Sequence, residues 1–543
     1  MAEAFAWKVT QHSAREGVIA LVLPAMTLFK DESRRLRSNL FRRMRVWCVA
    51  DFANLAYVLF GGRAQAPAAV LFYGLKPLER SDLREDRILT YSPLVANQQA
   101  NRSTKSGKRK PIWSIAINAS EIKEVSVEDA ASGEALPWKL AIWGSCLDHR
   151  LLRKVDRACS ATLEDFAKEN HLAIHKGIEL RHKSSTDKKR HVPDLAGRNT
   201  VDSALFRSRG KVFAIPADAL TPITVDRAYI RARGGMEGLK VSYPPHILVD
   251  ASRRFAIYSD DFVAIPGRHI GISGEKSQIP LLKALSLYLS SDFVTYHQFL
   301  TSPQWGVSFS EATLEALRSL PIPTKAFSDE NLGHWVKLHE ELVRASAASL
   351  NPRDSSSSPP TRNGPCRLIA ELNNEVYQVL GLQELEKALV NDLVHVRMQL
   401  VKGKVSEDVV KPPSKEAIEA YLAHLASALD SFLEIEKRLR HEVKAVYDGS
   451  SAMISIRLKR DTNEQIQPSA SKCSESTARQ LNEIRQLLRR QHSQWVYFDR
   501  GLRVYKGSRT YLFKPMQRML WSTGQALVDA TEMIAETIAN KGK

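Results

Sequence analysis

The chain has 543 residues, a formal net charge of +18 and a pI near 9.6, length enough for three or four domains of roughly 100–200 residues each. Hydrophobic content of 43% and charged content of 25% are ordinary for a soluble globular protein; the cation excess is not, and it points to a polyanionic partner, nucleic acid first. No apolar run reaches the roughly 18–20 residues of a membrane helix, no signal-peptide core opens the chain, and the five cysteines form no Cys-x-x-Cys pair, which disfavours disulfide-framed and zinc-ribbon classes and suits a cytoplasmic chain.

Residues 3–16 read as a helix carrying Trp7, Val9 and Ala14. The runs 18–23, 46–50 and 70–73 are short, apolar and β-branched, as buried strands are. Between the first two lies a charged, helix-like segment, 30–45, and Gly61-Gly62 and Pro67 mark a turn before the third. Strand, helix, strand, loop, strand is a piece of an α/β sheet, which fills residues 1–80. A basic connecting region, 81–165, holds the run Arg102-Ser-Thr-Lys-Ser-Gly-Lys-Arg-Lys110. Its order returns with an alternating strand at 112–117, the segment Trp138–Gly144, and a helix over 148–157 that Asp148 opens as a helix-start carboxylate.

The order and residues of the first stretch resemble the later motifs of gamma-class N6-adenine DNA methyltransferases. The matching pieces are a strand ending in proline (Val22-Leu-Pro24), a helix carrying Leu36-Arg37, a loop with Leu59-Phe60, and Pro67-Ala-Ala-Val70. The resemblance implies that Phe60 stacks on an adenine flipped out of the duplex; a base reached only by extrusion needs an aromatic face and edge hydrogen bonds. Read without the resemblance, Phe60 is an ordinary aromatic before a turn.

Two of that family's parts are not found. The catalytic Asn/Asp-Pro-Pro-Tyr/Phe motif belongs upstream of Gly17, and the Pro-Pro pairs in Tyr243-Pro-Pro-His246, Ser358-Pro-Pro-Thr361 and Lys411-Pro-Pro-Ser414 have the wrong flanks and place. The glycine-rich cofactor loop is also missing from the front, and Gly234-Gly-Met-Glu-Gly238 reads as a turn. The resemblance therefore implies the C-terminal half of an enzyme. It would bind no cofactor by itself and would meet S-adenosylmethionine through a partner chain carrying the cofactor loop and the catalytic motif.

Residues 166–325 carry many short apolar runs between Gly, Pro and Asp turns, among them 173–180, 209–215, 246–249 and 262–265. They read as a mixed α+β domain closed by helices at 279–291 and 310–319. Its exit, Leu320-Pro-Ile-Pro323, resembles the recognition domains of type I specificity subunits and fused type IIG enzymes. The loop Arg181–His191 supplies the phosphate candidates Lys183, Lys188, Lys189 and Arg190, beside Arg102, Lys105, Lys108, Arg109 and Lys110 of the earlier run. Each could equally be a solvated basic side chain. His182 and His191 flank the loop without a cysteine or carboxylate partner, so no metal is expected there.

Residues 326–365 form a helix and a Ser/Pro-rich linker. Residues 366–543 read as a mainly helical module with helices at 367–380, 382–402, 414–447, 478–492 and 520–539. Ile418, Leu422, Leu425, Leu429 and Phe432 make an apolar stripe on the long helix. A strand at 452–457 and a basic-aromatic hairpin around Lys506-Gly507 complete the module.

The expected architecture is thus α/β multidomain: a partial methyltransferase sheet, a mixed target-recognition domain and a mainly helical end. The expected role is the double-stranded-DNA-binding specificity half of a split N6-adenine methyltransferase in restriction–modification or phage defence. The alternative is a catalytically inactive, stand-alone DNA-binding protein derived from a methyltransferase. A nuclease is disfavoured, because no Asp…Glu-x-Lys constellation stands on adjoining strands.

Overall fold

Each of the three front apolar runs is a strand in the computed structural model, which describes residues 2–59, 66–75, 82–99, 112–206, 211–350, 364–403, 407–433, 439–460, 467–491, 496–499 and 501–541. Phe60 and the basic run 102–110 lie outside the described residues. The protein is mixed α/β with several sheets. Two compact units share the chain: Met1–His149, Pro303–Phe309 and Glu384–Lys543 make the first, Arg150–Ser302 and Ser310–Gln383 the second.

In the first unit a five-stranded sheet runs Ile19–Pro24, Ala68–Gly74, Arg45–Asp51, Arg87–Tyr91, Ile122–Ser126 in spatial order. Both Ile19–Pro24 and Arg45–Asp51 are antiparallel to the Ala68–Gly74 strand between them, so they are parallel to each other and end on the same side of the sheet. Ile19, Tyr73 and Val46 form one buried cross-strand row, and Leu23, Leu71 and Val49 are buried on the same face. Helix Arg34–Arg43 buries Leu36, Leu40 and Phe41, and the Phe41 ring lies 4.9 Å from that of Trp138. Arg37 is a strut inside this unit. It donates to the carbonyls of Gly133 (2.8 Å), Lys30 (2.7 Å) and Thr27 (3.2 Å) and is 2% exposed.

The C-terminal stretch contains more strand than its apolar stripe announced. The helix expected over 414–447 is Lys415–Ser431, and Leu439–Tyr447 is a strand. The physical reason is a change of period. Ile418, Leu422, Leu425 and Leu429 keep a helical spacing and are buried, whereas Val443 and Ala445 alternate with exposed Lys444 and Val446. Phe432, expected on the stripe, is half exposed just past the helix. Five strands order as Ser469–Lys472, Leu439–Tyr447, Ser451–Arg460, Arg509–Pro515, Leu502–Lys506. The expected hairpin is the last two of these, with Gly507 at φ +57° in its turn. Ahead of it, Val496–Asp499 pairs in parallel with Ile112–Asn118.

The second unit gathers small sheets and helices. The largest orders Ala256–Ser259, His246–Val249, Ile270–Ser273, Ala173–Lys176, with Ile247, Leu248 and Val249 fully buried. Helix Ile279–Leu289 packs on its strands Ala256–Ser259 and His246–Val249, and Asp329–Leu350 packs on that helix. Two expectations change here. Residues 211–215 are not a strand, although Val212 and Phe213 are core. The glycine cluster read as a turn opens a helix, Gly235–Lys240, with Gly234 left-handed at its N-cap. A Cβ on Gly238 would meet the carbonyl oxygen of Gly177 at 2.7 Å, so the helix lies directly on the backbone after Ala173–Lys176.

Candidate nucleic-acid interface

Leu180–Arg181, Tyr229–Arg231 and Lys189–His191 form a three-stranded antiparallel sheet in the second unit. Alternation decides its two faces. Ile230 is fully buried and Leu180 packs beside it on the core, with Leu195, Ile223 and Leu239. Tyr229 and Arg231 point the other way. Arg181 and His191 are both in register with Tyr229, and Lys189 is in register with Arg231. The outer face is therefore cationic around one aromatic ring. His191 stacks on Tyr229 at 4.6 Å, and the Lys189 ammonium is 5.5 Å from the same ring centroid.

The carboxylates on this face hold its arginines in place. Arg181 is 2.7 Å from Glu179 and 3.2 Å from Asp187, and Arg231 is 3.2 Å from Glu179. Lys189 Nζ turns back onto the carbonyls of His182, Lys183 and Ser185 and ties down the loop between the two flanking strands. Lys183, Lys188 and Arg190 are exposed, as are Arg227 and Arg233 nearby in sequence to Tyr229. Arg198 lays its guanidinium over the Phe262 ring at 4.4 Å. Of the four phosphate candidates in the 181–191 loop, Lys183, Lys188 and Arg190 stand in solvent, Arg190 in register with Ile230 and so on the face away from Tyr229, and Lys189 is engaged by backbone. His182 bonds Ser184 and His191 stacks; no group of three or more potential metal ligands occurs among the described residues. Tyr229 was missed in the sequence. Its only signal was the alternation Tyr229-Ile-Arg231 between two basic stretches, which needs the strand register to become a face.

The first unit holds a different constellation where strands Ile19–Pro24 and Arg45–Asp51 end. Asp51 is buried; it accepts from Ala53 N at 2.8 Å, and burial raises its carboxyl to about 7 against the pull of Lys139. Lys139 is buried as well, its ammonium lowered to about 7 by burial, and it donates to the carbonyl of Trp305. Trp143 Nε1 donates to the carbonyl of Gly306 at 3.1 Å, and Ser308 Oγ lies 3.2 Å from the sulfur of Met26, two residues past Pro24.

At its outer edge the same sheet shows apolar surface. Among the described residues Ile19–Pro24 pairs with Ala68–Gly74 alone. Val18 and Val22 are 65% and 62% exposed, and the rows Ala20–Phe72–Cys48 and Val22–Val70–Ala50 share their face. No helix among the described residues is long and apolar enough to cross a membrane.

No family profile and no curated protein sequence matches the chain. Among solved structures, the type IIG restriction endonuclease BpuSI is similar over 69% of this chain, at 12% identity and a TM-score of 0.25. The matched part spans about half of that enzyme, 49% of its length. A likeness of that size fixes neither fold nor activity, which rest on the residues described above.

Proposed function

We propose that the chain is the DNA-recognising half of a split N6-adenine DNA methyltransferase acting in restriction–modification or phage defence. A partner chain supplies the S-adenosylmethionine site and the catalytic motif. The observation that carries DNA recognition is the outer face of the Tyr229 sheet. An aromatic platform ringed by cations, with exposed Lys183 and Lys188 in the loop beside it, has the chemistry that grips phosphates and offers a ring to bases. The split is supported by the open Ile19–Pro24 edge. An edge that no strand covers among the described residues, beside exposed Val18 and Val22, is a template for another strand, and a second chain that continued the sheet would bury both. Phe60 is the residue assigned to the flipped adenine, and the basic run 102–110 adds phosphate contacts.

The test is transfer of labelled methyl groups to genomic DNA by this chain alone and mixed with the product of the neighbouring gene. Transfer only in the mixture, abolished by Phe60→Ala, is the expected result. Salt-sensitive DNA binding with no transfer in either sample would instead leave a stand-alone binding protein.

A further inference from the structure

The segment Pro303–Phe309 belongs to the first unit, although the chain on both sides of it belongs to the second. It is a tight turn. Gly306 sits at φ +77°, its amide bonds the carbonyl of Phe309 at 3.1 Å, and Phe309 N returns to Gln304 O at 3.1 Å. The turn is anchored at three successive points: the Trp305 carbonyl on Lys139, the Gly306 carbonyl on Trp143, and Ser308 on Met26. Trp305 and Val307 are buried at 3% and 4%, while Phe309 is 56% exposed. An aromatic ring is thus held in solvent by a turn whose other apolar residues are fixed in the core.

Its position is specific. Met26 follows the end of Ile19–Pro24, and the field of the anchoring lysine reaches Asp51 at the end of the parallel strand Arg45–Asp51. The turn therefore lies at the carboxyl ends of two parallel strands, the side on which open α/β sheets bind their ligands. The segment that leads in sequence to Phe60 starts from the same side, through Ala53–Leu55 and Ala56–Leu59.

We propose that Phe309 is a second base-stacking residue of this protein, its ring taking the face of an unstacked nucleobase. The inference rests on the DNA-binding reading above and adds a residue which that reading does not contain. The anchored backbone fixes where the ring stands, and every base has a π-face, so the contact is insensitive to sequence.

The test uses the full chain and two probes: an ordinary 20-base-pair duplex, and the same duplex with a mismatched, 2-aminopurine-containing step. Wild type is expected to bind both and to quench 2-aminopurine. Phe309→Ala is expected to bind the ordinary duplex as wild type does, to lose the quenching, and to lose about 5- to 150-fold in affinity for the mismatched probe, the range of one base–aromatic stack. Phe309→Trp should restore both. Because the ring is exposed, the alanine variant should unfold with wild type. Equal quenching and affinity in wild type and Phe309→Ala would overturn the inference while leaving DNA binding standing. Absence of binding to either probe by wild type would overturn both. Unchanged DNA behaviour with loss of a co-purifying protein would assign the ring to a protein partner instead.

Discussion

The front sheet of the first unit and the Tyr229 sheet of the second are both half-covered, yet their open faces are opposites. One offers Val18, Val22, Val70 and Phe72; the other offers Arg181, Lys189, Arg231 and His191 around Tyr229. An apolar open face removes water on meeting another apolar surface, whereas a cationic-aromatic face is stable in water and gains from a polyanion. The same architectural device thus presents two kinds of surface, and only the residue alternation distinguishes them. The buried charges differ too. The first unit buries Asp51, Glu121 and Lys139 and half-buries Lys123, while the second buries four imidazoles, His246, His269, His297 and His339, beside Asp250, Arg253 and Asp292.

That contrast breaks most sharply at Lys139. Lys139→Met removes the cation whose field reaches Asp51 and one of the three anchors of the Trp305 turn, and should cost about 1–3 kcal/mol in urea unfolding. Adding Asp51→Asn should recover part of it. Recovery of nothing would show that the two groups are not coupled.

Acid should separate the units next. The four imidazoles are lowered by burial from 6.5 to about 4. The unfolded chain then binds protons that the fold refuses, so the second unit loses stability as the pH falls from about 6.5 towards 4, by up to about 2 kcal/mol per group at pH 5. Burial raises Asp51 and Glu121 to about 7; there the fold binds the proton more tightly, so the first unit gains over the same interval. Lys123 and Lys139, lowered to about 7 by burial, subtract from the gain mainly above pH 6. Hydrogen exchange at pH 7 and pH 5 should show the second unit opening more and the first less. A uniform change across both would refute this.

In the basic loop, Lys183→Ala and Lys188→Ala should each reduce the slope of log affinity for duplex DNA against log salt by about 0.9, without a shift in Tm. Lys189→Ala should chiefly loosen the 182–188 loop and raise its exchange. If all three behaved alike, the distinction drawn from the Lys189 carbonyl contacts would fail. The smallest effect on stability belongs to the open edge. Val22→Lys should change unfolding free energy by less than about 0.5 kcal/mol and still abolish capture of the partner chain.

What the sequence made legible follows from range. The runs 18–23, 46–50 and 70–73 announced strands because β-branched apolar residues leave few other options, and the 181–191 loop announced its charge. The end of Lys415–Ser431 was hidden, since the stripe from Ile418 to Leu429 runs smoothly into Phe432 and the switch to period two appears only beyond it. Tyr229 was hidden because its facing partners, Arg181 and His191, lie about 40–50 residues away in the chain and meet it only through register. Nothing local marks Trp305 as the acceptor of Lys139. Phe60, the residue with the most explicit expectation, lies outside the described residues and stays with the biochemical test.

The anchoring of the Trp305 turn has a consequence for biosynthesis. A ribosome completes Lys139 and Trp143 long before it makes the carbonyls that receive them, and strand Ile112–Asn118 waits longer still for Val496–Asp499. At ordinary elongation rates that wait is tens of seconds. The second unit, nearly contiguous in the chain, can close within that time, while the front of the first unit stays without the segments that complete it.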